Sequence, residues 1–445
     1  MVGKYKAYPE YKDSGVGWLG NIPKHWEANK TKWYCKVTDG SHHSPDIQLE
    51  GYPFISVTDI GENKIDFCNA KKISKSDYYR LVREGCKPSV GDILLTKDGT
   101  IGRACLVNVS MPDFVILSSL GLLTPKQQVL NKFLYYYLIS GINIDQMNSM
   151  IHGSALRRMT INKINELLFI CPEISEQQNI ANFLDYETSK IDMLIEKQQQ
   201  LIKLLEEKRQ AVISHTVTKG LNPNVSMKDS GVEWLGAIPE HWQTVAIGRL
   251  FDRVKRTGYA EKELLSVYRD YGVIPKSSRD DNFNKSSQDL SSYQLVNPND
   301  LVINKMKTWQ GSIAISNYEG IVSPAYFIFK PNKKMYSHFI TKYIHYLLRT
   351  PIYVSQYLAR SKGIRVNQWD LDPEEFRKIK LVIPTKNEQL QSIEYIEKYE
   401  EKINKLISKA IQQINLLKER RTTLISAAVT GKIDVRDWQA PTVTD

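Results

Sequence analysis

The sequence predicts an α+β chain folded as an internal repeat: two mixed α/β segments, each followed by a long helix, with the two helices pairing as a coiled coil. Three observations carry this. Glu176 to Gly220 runs without a proline, and without a glycine before its last residue. Glu388 to Lys432 aligns with it at a constant offset of 212 residues. Residues 11–26, YKDSGVGWLGNIPKHW, return as residues 227–242, MKDSGVEWLGAIPEHW, with twelve of sixteen positions identical. Repetition on this scale means one architectural unit used twice.

In chain order, residues 1–29 form an N-terminal arm, expected to pack near the distal helix. Asp13-Ser14-Gly15 is turn chemistry, and the aromatic residues that follow suit the pinning of a short arm to a surface. Gly15-x-Gly17-x-x-Gly20 matches a dinucleotide fingerprint only on paper. The second copy has Glu233 in place of Gly17, and neither copy joins a strand to a helix.

Residues 30–172 read as a mixed α/β domain. Strands are expected at 54–60, 92–99 and 105–109, and a helix at 132–140. Residues 173–220 form the first long helix. Pro172 and Ser175 mark its start and Gly220 its end. Its apolar seam is Ile180, Leu184, Ile191, Leu194, Leu201, Leu205 and Val212, at coiled-coil spacing. At 1.5 Å per residue it is roughly 60 Å long, too long for one compact core. Residues 221–242 are a linker carrying the second arm, and 243–384 repeat the α/β plan. There DLVINKM (300–306) answers DILLTKD (92–98) and HFITKYIHYLL (338–348) answers KFLYYYLIS (132–140). Residues 385–432 form the second long helix, with seam Ile396, Tyr399, Ile403, Leu406, Ala410, Ile414, Leu417 and Leu424. Residues 433–445 are a tail. The scaffold is repeated while the loops diverge, as suits two domains doing one kind of job on different targets.

Composition narrows the job. The net charge is +11, with 24 Tyr and 8 Trp, which favours a polyanionic partner. No apolar run reaches membrane-spanning length and the N-terminus lacks an apolar signal region, so a cytoplasmic protein is expected. Five cysteines without a CxxC, all in the first half, read as reduced thiols. No phosphate loop, HExxH or Asn-Pro-Pro-aromatic motif occurs, and Asp92 and Asp300 lack the carboxylate–lysine spacing of a nuclease core. His42-His43 lacks further ligands at metal-site spacing. The chain is therefore expected to have no active site, no metal site and no cofactor of its own.

It does have basic and polar loops at matching places in both halves. In the first half these carry Ser41, His42 and His43; Lys97, Asp98, Thr100 and Arg103; and Arg157 and Arg158. In the second they carry Arg269, Tyr271, Lys276 and Arg279; Asn304, Lys305, Lys307, Trp309 and Gln310; and Arg360, Lys362 and Arg365. Arg and Lys read guanine and neutralise phosphates, and Asn and Gln read adenine.

With these motifs the chain resembles the specificity subunit of type I restriction-modification enzymes over nearly its full length. The resemblance rests on the repeated arm, on TDGSHHSP (38–45) and GDILLTKDGTIGR (91–103), and on NKMKTWQG (304–311) and GIVSPAY (320–326). It also rests on the junction Pro172, Glu176, Gln177, Ile180. The second copy keeps Pro384, Glu388 and Gln389 but has Ser392 in place of Ile180. The resemblance implies two target-recognition domains, each reading half of a bipartite double-stranded DNA sequence, separated by two antiparallel long helices. It implies a non-catalytic subunit that docks two modification (adenine methyltransferase) subunits and two ATP-driven restriction subunits. Those partners would use S-adenosylmethionine, ATP and Mg. Docking is expected on the outer face of the helices, at Lys197, Lys203, Glu207, Arg209 and Arg421, and at Trp18, Trp26, Trp234 and Trp242 of the arms. A spacer of roughly 60 Å would separate half-sites by at most about 18 base pairs. The alternative is a coiled-coil scaffold whose domains bind protein or RNA.

Overall fold

The computed structural model describes residues 5–151, 157–269, 271–279, 287, 289–365 and 368–441, and at 364, 365 and 368 the backbone alone. The chain divides into two compact units, Met1–Gln198 with Ile411–Asp445, and Gln199–Ala410.

Each unit is built on a four-stranded antiparallel sheet. In unit 1 the strands are β1 (Cys35–Asp39), β2 (Ile93–Thr96), β3 (Ala104–Leu106) and β4 (Leu120–Pro125), in the order β1-β4-β2-β3. In unit 2 they are β5 (Phe251–Val254), β6 (Leu301–Asn304), β7 (Ile313–Ile315) and β8 (Tyr326–Pro331), in the corresponding order β5-β8-β6-β7. Strands β2 and β6 open on apolar runs, Ile93–Leu95 and Leu301–Ile303, because both of their faces are covered. Ile93 and Leu95 join the main core, and Leu94 points into a second one with Ile55, Ile116 and Leu122. Leu301 and Ile303 answer the first pair, and Val302 joins Val267, Val296 and Val322 on the other side. This is the two-residue period of a strand read by two separate cores.

The junction into each long helix explains the Glu-Gln pair. Gln177 is fully buried: Oε1 accepts from the Leu130 N–H at 2.7 Å, and Nε2 donates to the carbonyl of Pro172 at 2.8 Å. Gln389 does the same for Ile340 at 2.8 Å and Pro384 at 3.1 Å. These amides satisfy backbone groups that burial would otherwise orphan. Glu176 and Glu388 receive the arms. His25 Nε2 lies 2.9 Å from Glu176, and His241 Nε2 lies 2.9 Å from Glu388.

Each arm is a hairpin, Tyr11–Asp13 with Asn21–Pro23 and Met227–Asp229 with Ala237–Pro239. Gly15 and Gly20 hold φ of +73° and +68°, as Gly231 and Gly236 hold +66° and +60°. Glycine is needed there and not at Gly17, which is why the paper fingerprint breaks in the second copy.

The long helices span Ile174–Lys219 and Lys386–Val429. In unit 1 they run antiparallel: Arg421 Nε donates to Asp192 at 3.0 Å, and Asn179 Nδ2 donates to the Arg436 carbonyl at 3.1 Å, beyond the second helix. In unit 2 Arg209 Nη1 donates to Asn404 Oδ1 at 3.0 Å, a pair whose residue numbers have the same sum as Asp192 and Arg421. The expected seam is buried at Ile180, Leu184, Ile191, Ile396 and Leu424, where each unit's own core covers it, and also along the second helix at Ile403, Ala410 and Ile414. Leu194, Leu201 and Leu406 depart from it, at 47%, 43% and 41% exposed. A pair of helices encloses one stripe, and these three lie beyond it.

Candidate nucleic-acid interface

Strands β1 and β2 flank β4 and run the same way, so the loops that follow them leave the sheet at one end. The segment before the first long helix returns there. Met159 N–H donates to the Lys97 carbonyl at 2.7 Å and Gly99 N–H to the Arg157 carbonyl at 3.1 Å. Three of the sequence-predicted loops thus meet at one edge. Unit 2 repeats the wiring: Leu371 N–H donates to the Lys305 carbonyl at 3.0 Å, and Lys305 N–H to Ala325 at 3.1 Å, as Lys97 N–H does to Ser119 at 3.1 Å.

The side chains on this frame differ. In unit 1, Lys97 is 1% exposed, with Nζ 3.7 Å from the Asp39 carboxylate, which also lies 3.3 Å from His42 Nε2. This corrects the expectation that Lys97 contacts DNA. A buried ammonium requires a partner, and Lys97 holds the end of β1 instead of facing solvent. Ser41 is also buried, its hydroxyl donating to the His43 carbonyl at 2.8 Å, so it shapes the loop that carries the two exposed histidines. Arg158 Nε sits 3.3 Å from Asp98, Arg157 Nη2 donates to Asn148 at 3.1 Å, and Arg103 Nη1 donates to the Ile60 carbonyl at 3.2 Å. Thr100, Arg103, Arg157 and Arg158 are exposed.

In unit 2, Arg269 and Tyr271 are exposed at the tip of a hairpin (Leu265–Tyr268 with Gly272–Pro275). The Arg279 guanidinium lies 5.0 Å from the Tyr268 ring and 4.7 Å from the Tyr271 ring. Lys276, Asn304 and Lys305 are half-buried, and Lys307, Gln310 and Lys362 are exposed. Arg360 is tied to Gln356 Oε1 at 2.7 Å. Trp309 packs edge to face on Trp369, with centroids 4.8 Å apart. The Arg365 side chain, and residues 152–156 of the first-half loop, lie outside the described residues. Two participants escaped the sequence reading. Asp39 gave no local signal, since no strand was expected at 35–39 and 58 residues separate it from Lys97. Trp369 had no local signal, since 60 residues separate it from Trp309.

The expected docking residues also divide. Lys197 and Lys203 are exposed, and Trp18 is 49% exposed. Trp26 and Trp242 are wholly buried, which corrects their assignment to a docking surface. Each indole closes on a glycine at the end of a long helix, Trp26 on Gly431 and Trp242 on Gly220. Trp234 is half-buried against Tyr353 at 5.1 Å. Arg421 and Arg209 turn toward the other helix, as described above, so neither presents its charge outward.

Among the described residues, no group of three or more His, Cys, Asp or Glu lies together as a metal site, and no helix is long and apolar enough to cross a membrane. The five cysteines are free thiols, and burial pushes Cys35 up to about 12 and Cys105 to about 11.

The family described as "Type I restriction modification DNA specificity domain" matches residues 41–204 and 239–416, more than half of the chain. The chain belongs to this family. It is a type I restriction-modification specificity subunit, a DNA-recognition subunit with two recognition domains. It is 20% identical over 447 residues to the type I restriction enzyme StySPI specificity subunit of Salmonella potsdam, covering 95% of this chain and 92% of that one. The EcoBI specificity subunit of Escherichia coli is 20% identical over 327 residues, covering 70% and 67%. A solved structure described as the basis of complex assembly and conformational transition of the type I R-M system superposes with a TM-score of 0.60 at 13% identity, covering 93% of this chain and 99% of that one. At that identity the likeness speaks for the fold.

Proposed function

We propose that each recognition domain of this specificity subunit reads one half of a bipartite duplex target through the loops at its sheet end, and that the long helices set the gap between the halves. The subunit is non-catalytic and cytoplasmic. Its helices and arms dock two modification subunits and two restriction subunits, which supply the S-adenosylmethionine, ATP and Mg chemistry. The observation that supports this reading best is the matched wiring: the lysine after the central strand is bonded alike in both units, while the side chains around it differ. Conserved wiring presents a reading surface, and differing side chains give it two specificities.

Methylome sequencing of cells expressing the chain with its modification partner tests this directly. A bipartite methylated motif is expected, and its absence from cells that contain the assembled complex would sink the reading. Deleting one heptad from both long helices should shorten the unspecified gap, and an unchanged gap in an active variant rejects the spacer role. Arg157→Ala should weaken DNA binding. If Arg157 touches phosphate alone, the loss is independent of sequence and the salt slope falls by about one.

A further inference from the structure

Two tryptophans stand at the recognition edge of unit 2 where the matching positions of unit 1 carry Ile101 and Arg157. Trp309 lies in the turn Thr308–Gln310 after β6, and Trp369 in the strand Gln368–Leu371, which a short helix and a short strand separate from the second long helix. The rings meet edge to face at 65°. Trp309 Nε1 donates to the Met306 carbonyl at 3.0 Å, which fixes the ring on its own turn. The turn is anchored from below. Thr308 is fully buried, with its hydroxyl on the Asn304 carbonyl at 2.5 Å, and Gly311, at φ +97°, donates to the Thr308 carbonyl at 2.7 Å. Both indoles are half-buried, and Met306 beside them is 40% exposed.

Large apolar side chains held rigidly in partial exposure lose little conformational entropy on contact. Cations lie near them along the chain, Lys305 and Lys307 ahead of Trp309 and Arg360 on the neighbouring segment, bonded through its carbonyl to the Asp372 N–H at 3.2 Å, while Asp370 follows Trp369. Phosphate would meet the cations and leave the indoles unmatched. The apolar group that duplex DNA presents in the major groove is the thymine 5-methyl.

We propose that Trp309, supported by Trp369 and flanked by Met306, is a specificity-determining contact to a thymine methyl in the half-site read by unit 2. Unit 1, with Asp98–Arg158 on the same frame, reads its half through charged and polar groups. This inference rests on the recognition function proposed above.

The test is the methylated motif of cells expressing Trp309→Ala with the modification partner, beside wild type and Arg158→Ala. In Trp309→Ala one A·T position of one half-site becomes degenerate while the other half stays intact. Arg158→Ala changes the opposite half. A general loss of stability would lower methylation without rewriting one half. If Trp309→Ala fails to accumulate, Trp369→Leu is read in the same way. With the recovered target in hand, replacing that thymine by deoxyuridine should weaken wild-type binding about fourfold, the value of one buried methyl, and leave Trp309→Ala binding unchanged. A wild-type unit 2 half without an A·T pair, or a Trp309→Ala motif identical to wild type, overturns the proposal. A wild-type complex with no bipartite motif overturns the recognition function instead.

Discussion

The two arms share twelve of sixteen residues, yet they close their junctions differently. In unit 1, Glu176 takes the Tyr8 hydroxyl at 2.6 Å on one oxygen and His25 on the other. Both oxygens are engaged, and the indole N–H of Trp26 is buried without a hydrogen-bond partner among the described residues. In unit 2 the position matching Tyr8 is Asn224, and Trp242 Nε1 reaches Glu388 Oε1 at 3.1 Å beside His241. The other Glu388 oxygen accepts from the Thr385 hydroxyl at 2.7 Å. One carboxylate is spent twice over in different ways, and an identical motif therefore does not imply identical energetics. An unpaired buried N–H costs about 1–3 kcal/mol.

The comparison can be broken most sharply at the helix ends. A Cβ on Gly431, which holds φ +69°, would overlap the Pro23 ring, whereas one on Gly220, at φ +84°, meets Trp242 at 3.3 Å. Gly431→Ala should cost unit 1 about 3 kcal/mol or more, from the left-handed backbone and the clash together, and Gly220→Ala about 1–2 kcal/mol in unit 2. Hydrogen exchange resolved along the chain reads each unit separately; equal losses would mean that the two clasps are alike. Next in size, His345 occupies the helix position that Tyr135 holds in unit 1. Burial, with the Arg349 cation beside it, pushes its imidazole down to about 4. His345 is neutral in the fold and takes up a proton near 6.5 when unfolded. Unit 2 stability is therefore full above about pH 6.5 and declines as pH falls toward 4, by up to about 3 kcal/mol. His345→Gln should flatten that slope in a pH series of unfolding curves, while unit 1 stays unaffected by the substitution. The smallest effect expected is at Tyr8. Tyr8→Phe frees one oxygen of Glu176, so the hydroxyl's lost bond is partly offset if Trp26 turns to it, and the net cost should be within about 1 kcal/mol. A melting shift as large as that of Gly431→Ala would show that Tyr8 carries the junction.

Much of this molecule was legible in sequence because its signals are periodic or duplicated. The long helices follow from heptad spacing without breakers, and the central strands from apolar runs ahead of Thr96 and Asn304. What escaped was contact between distant segments. Lys97 reads as a surface lysine in a polar loop until β1 brings Asp39 beside it. Trp26 and Trp242 read as exposed anchors because an arm's aromatic residues give no hint of whether they face inward or toward a partner. Arg421 reads as an outer-face charge because helical periodicity assigns faces only once the partner's position is known. Trp369 became visible only when the chain brought it against Trp309.

The tryptophan–glycine closures have a mechanical consequence. In unit 1 one arm holds the start of the first long helix, His25 on Glu176, and the end of the second, Trp26 on Gly431. In unit 2 the other arm holds the start of the second, His241 on Glu388, and the end of the first, Trp242 on Gly220. Each arm therefore indexes one helix of its own unit against the other: a slip of one residue, about 1.5 Å along the axis with a turn of about 100°, would release one of its two grips.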